Sequence, residues 1–213
     1  MKIVASVAAV VAVGIFATGC SVSGTPQAAP DHAALLLPAD SFPGGAGTTV
    51  PDAQIPGIIA DVTQRPLRGE VDPAECTPPQ VHAAGAAAVV GPASAGGATL
   101  TELVVEAPDS LERFATVTSA CNTFRSGATG NQEVSTTVTA QPLERDGVSR
   151  MQLTRTLRSA GADTTTDLED WIAQRGRTRL IVQLRGQGPA SDNDRQAAQT
   201  FFDEAVTHAF SRR

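Results

Sequence analysis

The chain has 213 residues, a net charge of −6 at neutral pH and a single lysine, Lys2. A mildly acidic balance argues against a nucleic-acid partner, which would require a basic face. With no lysine beyond Lys2, Schiff-base chemistry and a phosphate-binding lysine are excluded from the rest of the chain.

From Ile3 to Ala17 the sequence is almost wholly apolar, broken by Ser6 and Gly14 and preceded by the positive charge of Lys2. A run of about 15 residues is too short to span a bilayer comfortably and matches a secretory h-region. It ends in Phe16-Ala17-Thr18-Gly19-Cys20. Small residues directly before a cysteine, at the close of an h-region, resemble the bacterial lipobox, with Ala17 in the place usually held by leucine. The resemblance implies a signal peptide over residues 1–19 and lipidation of Cys20. The domain is then expected on the extracytoplasmic face of the cell membrane, held by its lipid anchor. Two or three acyl chains suffice for stable anchoring. Residues 20–32 begin CSVSGTPQAAP and are expected to form a flexible tether, leaving residues 33–213 as one domain.

Past Cys20 only Cys76 and Cys121 remain. An even pair in an exported protein reads as a disulfide.

Residues 31–40 carry the cluster Leu35-Leu36-Leu37 stopped by Pro38, and predict a short helix capped by Asp31. Residues 41–57 are rich in Gly and Pro and predict an ordered loop. Thr77-Pro78-Pro79 has the form of a helix start, which predicts a helix over 79–89 with Cys76 at its mouth. A glycine-rich turn (91–97) precedes a strand over 100–106. Pro108-Asp109-Ser110 opens the clearest helix, with Leu111, Phe114, Val117, Cys121 and Phe124 on one stripe. Strands are predicted over 133–142, 149–157 and 178–185 from their period-two alternation. Asp146-Gly147 marks a hairpin between the first two. Residues 167–174, holding the sole tryptophan, Trp171, predict a helical turn, and 192–211 a final helix with Phe201, Phe202, Val206 and Phe210 on its apolar face.

This order predicts an α+β fold: a mostly antiparallel sheet of about four to five strands with helices packed against one side, forming a cleft. Leu35 to Phe42 (LLLPADSF), the P-x-x-C of residues 73–76 and a helix ending in Cys121 together resemble the PknH-like extracellular sensor domain family. That family occurs on mycobacterial receptor kinases and as free-standing envelope lipoproteins. The resemblance spans roughly residues 33–211 and implies a sheet with helices around a ligand-binding cleft. This chain departs from the family in carrying one possible disulfide instead of two, and Thr118 where a tryptophan is common.

Two side chains are candidate ligand contacts. Arg155 alternates with Leu153 and Leu157 on a face expected to be buried, where a guanidinium must be paired or meet a wet cavity. Trp171 offers a stacking surface beside Asp167, Glu169 and Asp170. The triplet Asp192-Asn193-Asp194 lacks the glycine and distal glutamate of a calcium loop and reads as helix capping. No HExxH, CxxC or GxSxG pattern occurs, and neither metal, cofactor nor catalytic residue is expected. The function expected is a non-catalytic, membrane-anchored module binding a small molecule, a lipid or an envelope protein. The alternatives are an envelope hydrolase or transferase with a non-motif active site, and a structural adaptor without a pocket.

Overall fold

A computed structural model describes residues 31–94, 97–127 and 132–211. Its strands are β1 (Thr48–Thr49), β2 (Glu70–Asp72), β3 (His82–Pro92), β4 (Thr99–Glu106), β5 (Thr123–Gly127), β6 (Gln132–Arg145), β7 (Val148–Ser159), β8 (Thr165–Arg175) and β9 (Thr178–Gln187). The helices are α1 (Ile55–Thr63), α2 (Leu111–Ala120) and α3 (Asp192–Phe210). All nine strands join one sheet in the order β1-β3-β4-β9-β8-β7-β6-β5-β2, and every neighbouring pair is antiparallel.

The expected sheet of four to five strands is therefore corrected to nine. Two of the additional strands lie where helical structure was expected. Residues 79–89 fall largely in β3, whose Ala87 to Pro92 pair with Val104 to Thr99 of β4. Ala is a strong helix former in isolation, but pairing and burial override that weak preference. Residues 167–174 lie in β8, which is paired along its length with β7 and β9. Residues 168–174 of β8 are all buried, so the polar-apolar alternation that identifies a half-exposed strand is missing. β5, which takes up the Phe124 expected on the stripe of the helix that in fact ends at Ala120, and the two short edge strands complete the difference. In the N-terminal region the expected helix over 31–40 shrinks to a 3-10 turn at Ala33–Leu35, where Asp31 Oδ1 accepts the Ala33 N–H at 3.0 Å. The expected loop over 41–57 gives way to α1, which starts with Pro56 in its first turn and buries Ile55, Ile59 and Val62.

Helices on one side of the sheet are likewise corrected to helices on both. In β9, Leu180, Val182 and Leu184 face α3 and pack with Phe201, Phe202, Ala205 and Val206. The intervening Ile181 joins Met151, Leu153, Leu103 and Val105 against Ile55, Ile59 and Val62 of α1 and Leu111 and Phe114 of α2. Central strands covered on both faces have no wet side, which is why the one-sided reading of their alternation fails.

Other local expectations hold. Asp146 and Gly147 form the β6–β7 turn with φ of 55° and 71°, the paired left-handed geometry of a two-residue hairpin. Ser110 caps α2 by accepting the Arg113 N–H at 3.3 Å. Ser191 caps α3 by accepting the Asp194 N–H at 3.1 Å, placing the Asp192-Asn193-Asp194 triplet in the first helical turn, where acidic groups suit the helix dipole.

Candidate functional site: a guanidinium at the end of α1

Arg155 sits on β7 between Leu153 and Leu157, facing α1 and α2, and is 6 % exposed. Its register places Leu168 opposite it and Asp170 opposite Leu153, so Asp170 is a diagonal neighbour on the same face. Gln183 of β9 stands directly opposite Asp170. The three side chains meet: Arg155 Nη1 forms a close ion pair with Asp170 Oδ2, and Gln183 Nε2 donates to Asp170 Oδ1 at 2.8 Å.

Above them, α1 ends where Gln64 turns left-handed, with φ of 61°. The last carbonyls of a helix have no partner within it. Here the Val62 carbonyl accepts from Arg155 Nη1 at 3.2 Å and from Gln183 Nε2 at 3.3 Å. A cation at this end also matches the negative pole of the helix dipole. Burial pushes the Asp170 carboxyl up, while the Arg155 charge and the Gln183 amide pull it down.

Arg155 borders a cavity of about 20 Å³, also lined by Thr63, Thr118, Thr136, Phe114 and Phe124. That is room for roughly one water molecule. Both hydrogen bonds of the guanidinium come from Nη1. The disulfide between Cys76 and Cys121 walls the same cavity, joining the loop before β3 to the end of α2 across a sequence separation of 45 with the Cα atoms 5.3 Å apart. The cysteine pairing expected from the sequence is therefore present.

The structure separates the two candidate ligand contacts. Arg155 faces α1 and α2, whereas Trp171 is 3 % exposed on the other face of the sheet, packed in the core under α3. Its neighbour Asp170 is the residue that meets Arg155, and neither Asp170 nor Gln183 was singled out from the sequence. Treating 165–175 as a strand would have exposed the signal, because Leu168, Asp170 and Ile172 then share one face. Lys2, the signal peptide, the lipidation residue Cys20 and nearly all of the tether lie outside the described residues. Among the described residues no helix is long and apolar enough to cross a membrane, and no group of three or more His, Cys, Asp or Glu side chains could hold a metal ion.

No family model and no curated protein matches the chain. Among solved structures, one similar chain is a putative uncharacterized protein, the Rv0999 ortholog, from Mycobacterium smegmatis. The two share 15 % identity over 77 % of this chain and 85 % of that one, with a TM-score of 0.46. Another is the extracellular domain of PknH from Mycobacterium tuberculosis, at 10 % identity over 75 % of this chain and 98 % of that one, with a TM-score of 0.39. The resemblance read from the sequence is thus met by a structural resemblance, and a weak one.

Proposed function

We propose that this protein is a non-catalytic binding domain of the cell envelope, anchored by lipid at Cys20 on the extracytoplasmic face, and that an anionic ligand docks over the small cavity at Arg155, one of its oxygens or a single bridging water reaching the guanidinium. The observation that carries the reading is the guanidinium bordering a cavity with only Nη1 engaged in hydrogen bonds. A planar guanidinium suits carboxylate and phosphate oxygens, and the hydroxyls of Thr118 and Thr136 line the same space. Arginine keeps its proton at any physiological pH, so the cavity is suited to holding charge and not to proton transfer. The Cys76–Cys121 disulfide supports an oxidising compartment outside the cytoplasm. The proposed site takes Arg155 from the sequence expectations and leaves Trp171 to the opposite face.

Two measurements test this. Native mass spectrometry of the chain purified from its own envelope should find a co-purifying anionic ligand in the wild type and none in Thr118→Leu, which occludes the cavity and leaves Arg155 and Asp170 in place. Equal ligand on both forms would move the site elsewhere, and none on either would favour an adaptor without a pocket. Separately, Cys20→Ala should shift the chain from the membrane to the soluble fraction; unchanged fractionation would remove the lipid anchor.

A further inference from the structure

A second hollow, about 220 Å³, lies against α1 and shares Thr63 with the cavity at Arg155. One wall is the α1 stripe of Pro56, Ile59 and Ala60, residues at the spacing that shares a helix face. Pro66, Leu67 and Val81 also line it. Leu67 is 66 % exposed, one of two large apolar side chains so placed among the described residues. Of the polar groups beside the groove, Thr63 Oγ1 donates to the Ile59 carbonyl at 2.7 Å and Arg65 Nη1 to the Pro78 carbonyl at 2.5 Å, while the exposed Gln80 lies at its edge. A hydrocarbon chain lying on the apolar stripe needs no hydrogen-bond partner, whereas each residue of a peptide brings a backbone donor and acceptor to satisfy.

The position of the groove suggests where such a chain would come from. Ala83 lines it, and two residues further along β3 the Gly85 carbonyl accepts the His32 N–H at 3.3 Å. The N-terminal segment thus meets the domain two residues along the chain from the groove lining, at the irregular start of β3. Asp31 lies 11 positions after Cys20, a span of at most about 38 Å when fully extended.

We propose that the α1 groove holds an acyl chain of a lipid from the outer leaflet to which the protein is anchored. This rests on the lipid-anchor reading of Cys20. The docked chain would seat the domain on the membrane with the α1 side down, the Leu67 side chain covering the hydrocarbon.

The test uses the full lipidated chain, reconstituted into vesicles of phosphatidylcholine and phosphatidylglycerol that include a phosphatidylcholine with a photoreactive acyl chain. After irradiation, adducts should map to residues 56–67 and 80–83, and Leu67→Asp should lower their yield at least fivefold without releasing the chain from the vesicles. Adducts confined to other surfaces, or none on a vesicle-bound chain, would overturn the proposal. A wild-type chain that does not stay with the vesicles would count against the anchor instead. The groove is then judged by titrating that chain with a fluorescent fatty acid: saturable binding that Leu67→Asp weakens at least fivefold keeps it, and no saturable binding ends it.

Discussion

The carboxyl of Glu102, fully buried in β4, accepts the backbone N–H of Leu37 with both of its oxygens, at 3.2 and 3.1 Å. This contact, with the His32 N–H to Gly85 carbonyl bond, holds the N-terminal segment on the sheet, where Leu36 and Phe42 join the core. Burial pushes the Glu102 pKa from 4.5 up to about 8, against the opposing pull of the Leu37 N–H. The folded chain therefore keeps a proton that the unfolded chain loses above its ordinary value. The contribution of this group to stability is greatest below pH 4.5, declines as pH rises towards 8 and is level beyond. Glu102→Gln, which keeps an oxygen for Leu37, should abolish that slope and raise stability at pH 7 by up to about 3 kcal/mol. Urea midpoints measured from pH 5 to 9 check this; parallel profiles for the two proteins would contradict it.

His32 acts with the opposite sign. It is 1 % exposed, and neither ring nitrogen has a hydrogen-bond partner. Burial lowers its pKa below 6.5, against the Gly85 carbonyl and the charges of Glu106 and Asp31, which raise it. Its contribution is therefore fully present above pH 6.5 and lost as pH falls through the lowered folded value. Acidification should loosen residues 31–37 first, seen as faster amide exchange there than in β4 or β9, and His32→Phe should suppress the effect. Uniform exchange across the domain at acid pH would rule it out.

Removing Arg155 should leave the buried Asp170 carboxylate without its cation. Arg155→Met is expected to cost about 3 to 5 kcal/mol, and the double variant Arg155→Met/Asp170→Asn distinctly less than the sum of its parts. A double-mutant cycle in urea reads this directly, and additivity would show that the two groups are not coupled.

The disulfide closes a loop of 45 residues, for which the chain-entropy estimate is about 4 kcal/mol. The Cys76→Ser/Cys121→Ser variant should lose a comparable amount, and reductant should destabilise the wild type while leaving the variant unchanged. Equal sensitivity of both to reductant would refute the assignment.

Gly91 of β3 lies against the ring of Phe42, whose Cγ would be 2.7 Å from a Cβ added there. The ring cannot retreat freely, since its far side packs on Phe201 with centroids 4.6 Å apart. Gly91→Ala should destabilise by about 1 to 3 kcal/mol through overpacking, measured as a lower thermal midpoint. An unchanged midpoint would mean that Phe42 has room to turn.

Much of the local structure was legible. The β6–β7 hairpin announced itself through alternation and Asp146-Gly147, α2 and α3 through their apolar stripes, α2 also through Ser110, and the pairing of Cys76 with Cys121 through elimination. Arg155 was placed on the correct face because Leu153 and Leu157 flank it at period two. Its partner was not, because Asp170 was read as one of several acids near Trp171 instead of as a strand residue.

What the amino-acid order determined on its own was therefore whatever short-range chemistry specifies: caps, a turn that needs positive φ, stripes with one buried side. The tertiary structure alone decided that 82–92 is a strand in spite of its alanines, that β8 is buried on both faces, and that helices cover the sheet front and back. It also decided that the carbonyl end of α1 lands on Arg155 and Gln183. Each of these depends on partners far away in sequence, such as Val62 and Arg155, 93 residues apart. Local pattern reports how much of an element is wet, and an element dry on every side leaves no such pattern to read.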